Sequence, residues 1–558
     1  MASEISKRAT RLDDPLGKSF RGGCGSSRCG GEDSPRAAPK DSNRKVSSIS
    51  DASKPHRSET YVARITLDPH RRIGTVDRGI FGGFIEHLGR CIYGGIFEEG
   101  SPLSDERGFR RDVLEALRPF RMPVLRWPGG NFVSGYHWLD GVGPVEQRPR
   151  RIELAWHGEE PNRFGTDEFI EYCRALGTDP FIVVNMGSGT MDEAQAWVEY
   201  CNGTGDTHWA NLRRKHGHEE PYGVKYWGLG NEMYGKWQIG SLSAEDYVKK
   251  ARQFAAMMKW TDPSVRLVSC GQQGWNDWDR IVLEGLADLV DYHSIHIYTG
   301  SDLYYTNVLH PHQADRALRI CEATIERTRY EKRIDHPIYI AYDEWNVWYR
   351  ERSPEARRAG LEERYSLADA VAVATFLNIF IRHCRSVRMA NLAQMVNVIA
   401  PIVTSRQGMF LQTIYHPFRL YAEHTREVAL DVDVECDTYA FAPGEEDVSV
   451  RPHRIADLGP FALLDAAATC DVEGREICLA VVNRDRERAI AATIRVLDGT
   501  IGSPVRAYEV WGEDPEVTNS FERPAAVDVR ERQVERRGAD LGHAFPPHSV
   551  TVMRIPVG

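Results

Sequence analysis

Two short strings hold the residues best suited to chemistry: Gly228-Leu229-Gly230-Asn231-Glu232 and Ile340-Ala341-Tyr342-Asp343-Glu344-Trp345-Asn346. Each sets a glutamate at the end of an apolar, β-branched or aromatic run. Two carboxylates presented from two strand ends are the equipment for breaking a glycosidic bond. One, ionised, attacks the anomeric carbon; the other, with a raised pKa, protonates the departing oxygen and later takes a proton from water. The neighbours suit a sugar. Asn231 can hydrogen-bond a hydroxyl, and Trp345, Trp348 and Tyr349 offer apolar faces on which a ring can stack. The residues give the pair without saying which glutamate takes which role. Strict alternation along a strand would send Asn231 and Glu232 to opposite faces, so both reach the site only if the strand breaks at Gly230.

The elements that position these residues follow from the hydrophobic pattern. Eight apolar runs alternate with amphipathic stretches: Ile80–Ile85, Pro123–Trp127, Phe181–Asn185, Val224–Leu229, Arg266–Cys270, Tyr292–Tyr298, Ile338–Tyr342 and Met395–Ile399. One helix opens at Thr166-Asp167-Glu168 and stops at Gly177, and another starts at Ser243-Ala244-Glu245-Asp246 with a capping-box-like pattern. Eight strand and helix units imply a closed parallel (β/α)8 TIM barrel, whose strands are continuous apolar runs because both faces are buried. After about residue 425 short alternating segments such as Cys478–Asn483, Ala492–Leu497 and Ser549–Ile555 are split by Gly, Pro and Asp turns. That is the pattern of an all-β sandwich, jelly-roll-like in kind. The expected organisation is a disordered tail over 1–58, a strand within 59–77 joining the sandwich, the barrel over 78–424 and the sandwich over 425–558. The tail is almost empty of large apolar residues, so it cannot offset its ordering entropy. Its Cys24 and Cys29 have no second pair to make a metal site.

In a barrel the C-terminal strand ends carry function. Glu232 ends the fourth strand and Glu344 the seventh. Glu86 and His87 close the first. Arg126, in the second, is placed to hold Glu344 ionised through a charge-assisted bond. The Pro128-Gly129-Gly130-Asn131 turn follows it. His296 and Tyr298 share a face of the sixth strand, Tyr298 within reach of the nucleophile, and Gln394 starts the eighth. Asp343 is expected to point into the barrel wall. No metal is expected, since strand one lacks the His-x-His of metal-dependent barrel hydrolases. Gly228-Leu229-Gly230-Asn231 lacks a nucleotide-binding spacing, and no cofactor is expected.

Composition narrows the partners. The chain has 558 residues, 42% hydrophobic, with a net charge of −10 and no basic stripe. That argues against nucleic acid and anionic membranes. No stretch reaches the roughly 18 apolar residues of a membrane span, and the N-terminus lacks the apolar core of a signal peptide. The 11 cysteines are odd in number and scattered without a CxxC pair, the pattern of reduced thiols in a cytoplasmic protein. Asn202-Gly203-Thr204 matches a glycosylation acceptor and is read as chance.

The strings Gly83-Phe84-Ile85-Glu86-His87-Leu88-Gly89-Arg90, Arg126-Trp127-Pro128-Gly129-Gly130-Asn131-Phe132, Gly228-Leu229-Gly230-Asn231-Glu232-Met233 and Asp343-Glu344-Trp345-Asn346-Val347-Trp348 resemble the α-L-arabinofuranosidases of glycoside hydrolase family 51. Asn397-Val398-Ile399-Ala400-Pro401-Ile402 and Gln412-Thr413-Ile414-Tyr415 fit too, and the resemblance covers about 60 to 558. It implies a barrel with a C-terminal β-sandwich completed by N-terminal residues, and exo-acting hydrolysis with retention. Glu232 matches the acid/base and Glu344 the nucleophile. Glu86, Asn131, Asn231, Tyr298 and Gln394 match substrate contacts, and Trp348 shapes the pocket. The implied substrates are arabinan, arabinoxylan and arabino-oligosaccharides, and the implied assembly is an intracellular homo-oligomer, commonly a hexamer. The tail over 1–58 departs from the family pattern. Two rival readings use the same residues: another retaining barrel glycosidase, such as a β-xylosidase or endoglucanase, and a non-catalytic carbohydrate-binding protein.

Overall fold

The computed structural model describes residues 63–349, 361–448, 452–534, 536–537 and 539–558; the tail expected over 1–58 lies outside them. In chain order the first strands are β1 (Ala63–Thr75), β2 (Gly82–Phe84), β3 (Val124–Trp127) and a small hairpin, β4 (Arg151–Glu153) with β5 (Gly158–Glu160). Then come β6 (Asp179–Val184), β7 (Tyr226–Leu229), β8 (Arg266–Ser269), β9 (Tyr292–Thr299), β10 (Tyr339–Val347) and β11 (Val387–Ala393). The order β10-β11-β2-β3-β6-β7-β8-β9 closes into a parallel barrel. Its strands are buried on both faces, as their unbroken apolar runs require: Phe181 to Val184 and Trp227 to Leu229 are all buried.

The helices start and stop where local chemistry dictates. The helix Thr166–Leu176 ends at Gly177, whose φ of 71° is left-handed and cheap only for glycine. The helix Ala244–Thr261 begins at Ser243, whose Oγ accepts the Asp246 N–H at 3.2 Å. Between β10 and β11, the helix Leu367–Arg382 is buried along nearly its whole length. It is the wedge between barrel and sheet domain: Asn378 Nδ2 donates to Asp465 at 2.8 Å, and Arg382 pairs with Asp465 at 3.1 Å.

One strand differs from the sequence reading. The eighth barrel strand is Val387–Ala393 rather than Met395–Ile399. Arg388 and Asn391 interrupt its apolar run and hide it. Asn391 nonetheless sits fully buried in the barrel, its amide donating to Gly83 O at 2.9 Å. The more apolar 395–399 segment is a loop with left-handed residues at Asn397 and Ile399 (φ 61° and 38°). Gln394 therefore follows the eighth strand instead of starting it, which brings it to the functional end of the barrel.

Beyond the last barrel helix, Tyr415–His424, the chain builds one ten-stranded sheet. β1 lies inside it, antiparallel to Val428–Glu435 and parallel to Ile490–Val496. The alternation read around residues 63–67 is present, with Ala63, Ile65 and Leu67 buried and Arg64 exposed. The sheet curls until its two ends face each other. Val505 and Ala507 from one end share a buried cluster with Leu541 and Phe545 from the other, and Glu509 meets His543 at 3.1 Å. This is the sandwich expected after residue 425, made continuous by hydrogen bonding.

The nine described cysteines are unpaired, all but Cys436 buried. Among the described residues no helix is long and apolar enough to cross a membrane.

Because Ile65 is fully buried in the sheet-domain core, Ile65→Ala should remove about 2–5 kcal/mol of stability. The check is the midpoint of chemical denaturation, which should fall with little change in slope.

Candidate active site

The catalytic candidates converge at the C-terminal end of the barrel because six strands, β2, β3, β7, β9, β10 and β11, deliver them there. Arg126, on β3, is 1% exposed. Its Nη1 donates to Glu344 Oε1 at 2.7 Å and to Asp343 O at 3.1 Å; its Nη2 donates to Asn231 Oδ1 at 2.5 Å. The guanidinium also lies over the Phe84 ring at 4.4 Å. Burial alone would weaken its charge, but Asp343 and Glu344 outweigh that and hold it firmly protonated. From β9, Tyr298 OH donates to Glu344 Oε2 at 2.8 Å. Both oxygens of Glu344 are thus fixed.

β7 ends at Leu229, and Gly230 takes a φ of 77°. This is the break that Asn231 and Glu232 need to face the site together. Glu232 itself is left-handed, φ 42°, strain of the kind that gathers at functional positions. Its carboxyl accepts from Tyr234 OH at 3.0 Å and Trp237 Nε1 at 3.1 Å, and meets His296 Nδ1 at 3.0 Å. The Trp237 indole folds over Gly235, where an added Cβ would come within 2.4 Å of the ring. Glycine is needed there for space.

His296 stands among three carboxylates: Glu232 at 3.0 Å, Asp343 at 3.3 Å and Glu344 at 3.6 Å. Burial opposes its charge, but the charges of Glu344 and Asp343, with hydrogen bonds to Asp343 and Glu232, push it up to about 10. It is an imidazolium. Burial likewise raises the Glu232 carboxyl, while His296, Tyr234 and Trp237 together hold it below the usual range.

Asp343 does not turn into the barrel wall as expected. Strand pairing slips between Ala341 and Glu344 on one side and between Tyr342 and Trp345 on the other. That irregularity defeats alternation and brings Asp343 under Glu344. There it accepts from Ser294 Oγ at 2.5 Å and pairs with Arg126 at 3.4 Å. Trp345 faces the other way, packed on Phe376 and Phe380 with ring centroids 5.2 and 5.1 Å apart. It is core, not a sugar platform. Tyr349 is also buried, its hydroxyl bonded to Asp369. Trp348 does border the site, meeting Tyr298 edge-on at 5.3 Å.

A second carboxylate pocket adjoins the first. Glu86 accepts from Phe132 N–H at 3.1 Å, Trp156 Nε1 at 3.1 Å and Gln394 Nε2 at 2.9 Å. Asn131 lies between Gly130 and Phe132 at its edge. A Cβ on Gly130 would sit 3.2 Å from Glu344 Oε1, 3.4 Å from Asn231 Nδ2 and 3.5 Å from Glu86 Oε2. The bare backbone there leaves the space among those three groups open. Trp156 arrives from the β4–β5 hairpin, which Glu160 ties down through His87 Nδ1 at 2.8 Å. The Trp127 indole donates to His87 Nε2 at 3.1 Å, so Nδ1 carries the proton given to Glu160.

The structure thus unites Glu86, Arg126, Asn231, Glu232, His296, Tyr298, Glu344 and Gln394, and places Asn131 and Trp348 at the border. The sequence reading missed Trp156, Tyr234, Trp237, Ser294 and the inward turn of Asp343. Tyr234 and Trp237 follow Glu232 in the same βα loop, a signal available from sequence. Trp156 depends on a hairpin folding back and had none.

Among the described residues one group could hold a metal ion, Glu232 with His296 and Glu344, whose ligand atoms lie within 4.8 Å of one another. To bind one, His296 would first have to give up the proton that the three carboxylates around it favour.

A parallel barrel with two glutamates facing each other across its strand ends defines a glycoside hydrolase. The α-L-arabinofuranosidase 1 domain matches residues 116–316, and the α-L-arabinofuranosidase C-terminal domain matches 343–549. The chain is 43% identical over 512 residues to α-L-arabinofuranosidase C of Emericella nidulans, covering 89% of this chain and 98% of that protein. It is 37% identical over 446 residues to the intracellular exo-α-(1→5)-L-arabinofuranosidase of Halalkalibacterium halodurans, covering 77% and 86%. The solved structure of the thermostable GH51 α-L-arabinofuranosidase from Thermotoga petrophila superposes with a TM-score of 0.80 at 42% identity, covering 88% of this chain and 99% of that one. The chain belongs to the α-L-arabinofuranosidases of glycoside hydrolase family 51.

Burial, reinforced by the nearby Glu344 charge, raises Glu86 to about 7. All three of its protein partners are donors, so the pocket is built for the carboxylate, which is lost as pH falls through about 7. KM should therefore rise below that pH in the native enzyme. In Glu86→Gln, KM should be higher throughout and flat across the same range, as read from initial rates between pH 5 and 9 at saturating and limiting substrate.

Proposed function

We propose that this arabinofuranosidase is exo-acting and retaining. It would remove terminal non-reducing α-L-arabinofuranosyl units from arabinan, arabinoxylan and arabino-oligosaccharides. Glu344 serves as nucleophile, and Glu232 serves as acid/base. The observation that carries the reading is the carboxylate spacing. Ligand oxygens of Glu232 and Glu344 lie within 4.8 Å of each other. Oxygens that close suit direct attack, for which the carboxyls stand roughly 5–5.5 Å apart, better than the roughly 6.5–9.5 Å at which an inverting enzyme holds a water between them.

The roles follow from the partners. Arg126 and Tyr298 aim Glu344 with both oxygens fixed. In the first step a Glu344 oxygen bonds to the anomeric carbon, the glycosidic C–O bond breaks, and the leaving oxygen takes a proton from Glu232. In the second step, water attacks the anomeric carbon and gives its proton to Glu232, and the Glu344 ester bond breaks. Two inversions give retention. The Glu232 carboxyl, held low by His296, Tyr234 and Trp237, suits the second step and opposes the first. The missing proton is at hand on His296, 3.0 Å away. Glu344 is the strongest influence holding that proton on the imidazole. As Glu344 loses its charge to the sugar, His296 becomes the better acid, and its proton passes through Glu232 to the leaving oxygen; in the second step Glu344 regains its charge, and the proton that Glu232 takes from water returns to His296.

Exo action is supported by Trp156, whose hairpin closes over Glu86 at one end of the pocket. A cytoplasmic location is supported by the intracellular Halalkalibacterium relative and by the unpaired cysteines. A hexameric assembly and a part in arabinan breakdown rest on the family resemblance.

Initial rates on nitrophenyl α-L-arabinofuranoside, β-D-xylopyranoside and β-D-glucopyranoside test the reading; a preference for either pyranoside would sink it. Glu344→Ala should lose on the order of 10⁴-fold or more in kcat/KM and recover part of it with azide, which supplies the nucleophile. Glu232→Ala should cripple hydrolysis of arabino-oligosaccharides far more than of activated aryl glycosides, because only the former need a proton on the leaving oxygen. The opposite pattern would exchange the two roles.

A further inference from the structure

We infer that Leu154 and Ile239, carried by two separate loops, form an apolar shelf that receives the leaving-group side of the substrate. The inference rests on the roles proposed above. The inner pocket is built from charges, amides and a phenol, whereas the loops beyond Glu232 expose apolar side chains. Trp237 is 55% exposed and Leu154 58%. A lone exposed aliphatic residue needs no explanation. Here two loops bring aliphatic side chains to one place. A methyl group on Gly135 would touch Ile239 Cδ1 at 3.3 Å and Leu154 Cδ1 at 4.0 Å, so both lean over the same piece of backbone.

Each is also tied to a catalytic-pocket carboxylate. Leu154 is two residues from Trp156, whose indole bonds Glu86; Ile239 is two residues from Trp237, whose indole bonds Glu232. The hairpin is held in place. Glu153 accepts from the Ala155 and Trp156 N–H groups at 2.7 and 2.6 Å, and Arg151 pairs with Asp140 at 2.8 Å. Leu154 is therefore presented to solvent by a preorganised turn, which limits the entropy lost on binding.

The glycosidic oxygen departs towards Glu232, and on that side stand the exposed Trp237 indole, bonded to Glu232, and Ile239 of the shelf two residues further along the same loop. Aliphatic side chains recognise the C–H face of a sugar and not its hydroxyl pattern. The shelf therefore takes arabinofuranosyl or xylopyranosyl leaving groups alike, and the identity of the removed unit is read only in the inner pocket.

The test compares wild type with Leu154→Ala, Leu154→Gln (which keeps the volume and removes the apolar character) and Ile239→Ala. The three readouts are kcat/KM for arabinotriose, kcat/KM for methyl α-L-arabinofuranoside, and the inhibition constant of L-arabinose. Methyl is too small a leaving group to reach the shelf, and arabinose fills only the inner pocket. Each variant should lose about five- to tenfold on arabinotriose, mainly in KM. The other two constants should stay within about twofold, the scatter of a surface change. Equal losses on all three, or no loss on arabinotriose, would overturn the shelf. So would unchanged kinetics with a drop in mass by light scattering, which would assign these residues to a contact between copies of the chain. A wild-type enzyme that cleaves neither arabinofuranoside would instead overturn the activity on which the inference rests.

Discussion

A balance of buried charge governs the barrel mouth. Glu232, Asp343 and Glu344 face Arg126 and His296; Arg126, Asp343, Glu344 and His296 are each no more than 6% exposed. No member can leave without stranding another, and breaking such a buried pair costs about 3–5 kcal/mol. The two cations differ in kind. A guanidinium keeps its proton under all working conditions, whereas an imidazolium can release one. Arg126 grips Glu344, so the proposed nucleophile is aimed by a charge that never changes. His296 touches Glu232, so the proposed acid/base adjoins the one cation able to supply a proton. The division of labour between two chemically identical side chains rests on that difference in partners.

Much of this was legible in the sequence because barrels tie function to strand ends. Once Glu232 and Glu344 fall at the ends of two parallel strands, their meeting is a consequence of closure. Gly230 likewise announced the break that turns Asn231 and Glu232 to one side. The failures share one physical cause. Apolar patterning reports burial, and burial does not distinguish a strand from a buried loop or a site residue from a core residue. Met395–Ile399 is as apolar as a barrel strand but folds as a loop, while the true strand hides behind Arg388 and Asn391. Trp345 sits beside Glu344 yet packs into the core. Asp343 was misdirected by strict alternation, which a register slip of the kind seen in β10 defeats and which local sequence does not record.

The placement of β1 has a consequence for how the chain is put together. It sits inside the sheet, between a strand from residues 428–435 and one from 490–496. The sheet domain therefore cannot close until the whole barrel has been traversed and the start of the chain returns to its end. The helix Leu367–Arg382 makes this a packing requirement as well as a topological one. It is buried on all sides, between β10 and β11 on one face and Asp465 and its neighbours on the other. A barrel strand that carries Glu344 and a sheet that carries no proposed catalytic residue thus share one helix as their common core. Among the described residues the sheet domain adds no side chain to the site and supports it through that helix.

The outer hairpin shows how the two ends of the pocket are set apart. Glu160 anchors it through His87, and His87 is fixed in turn by the Trp127 indole within the barrel core. That chain of bonds runs from β3 to the hairpin and determines where Trp156 meets Glu86. The inner pocket is lined by groups whose positions are set by barrel strands, with Gly130 keeping open the space among Glu344, Asn231 and Glu86. Beyond Glu232 the contacts pass to Trp237, Ile239 and Leu154, which belong to loops and present hydrocarbon. Polar recognition is strict because an unmatched hydroxyl or carboxylate in a dry pocket is expensive. Apolar contact is permissive because area is all it requires. One site can therefore be exacting about the unit it cleaves and tolerant of the chain it cleaves it from, and the boundary between the two behaviours falls at Glu232.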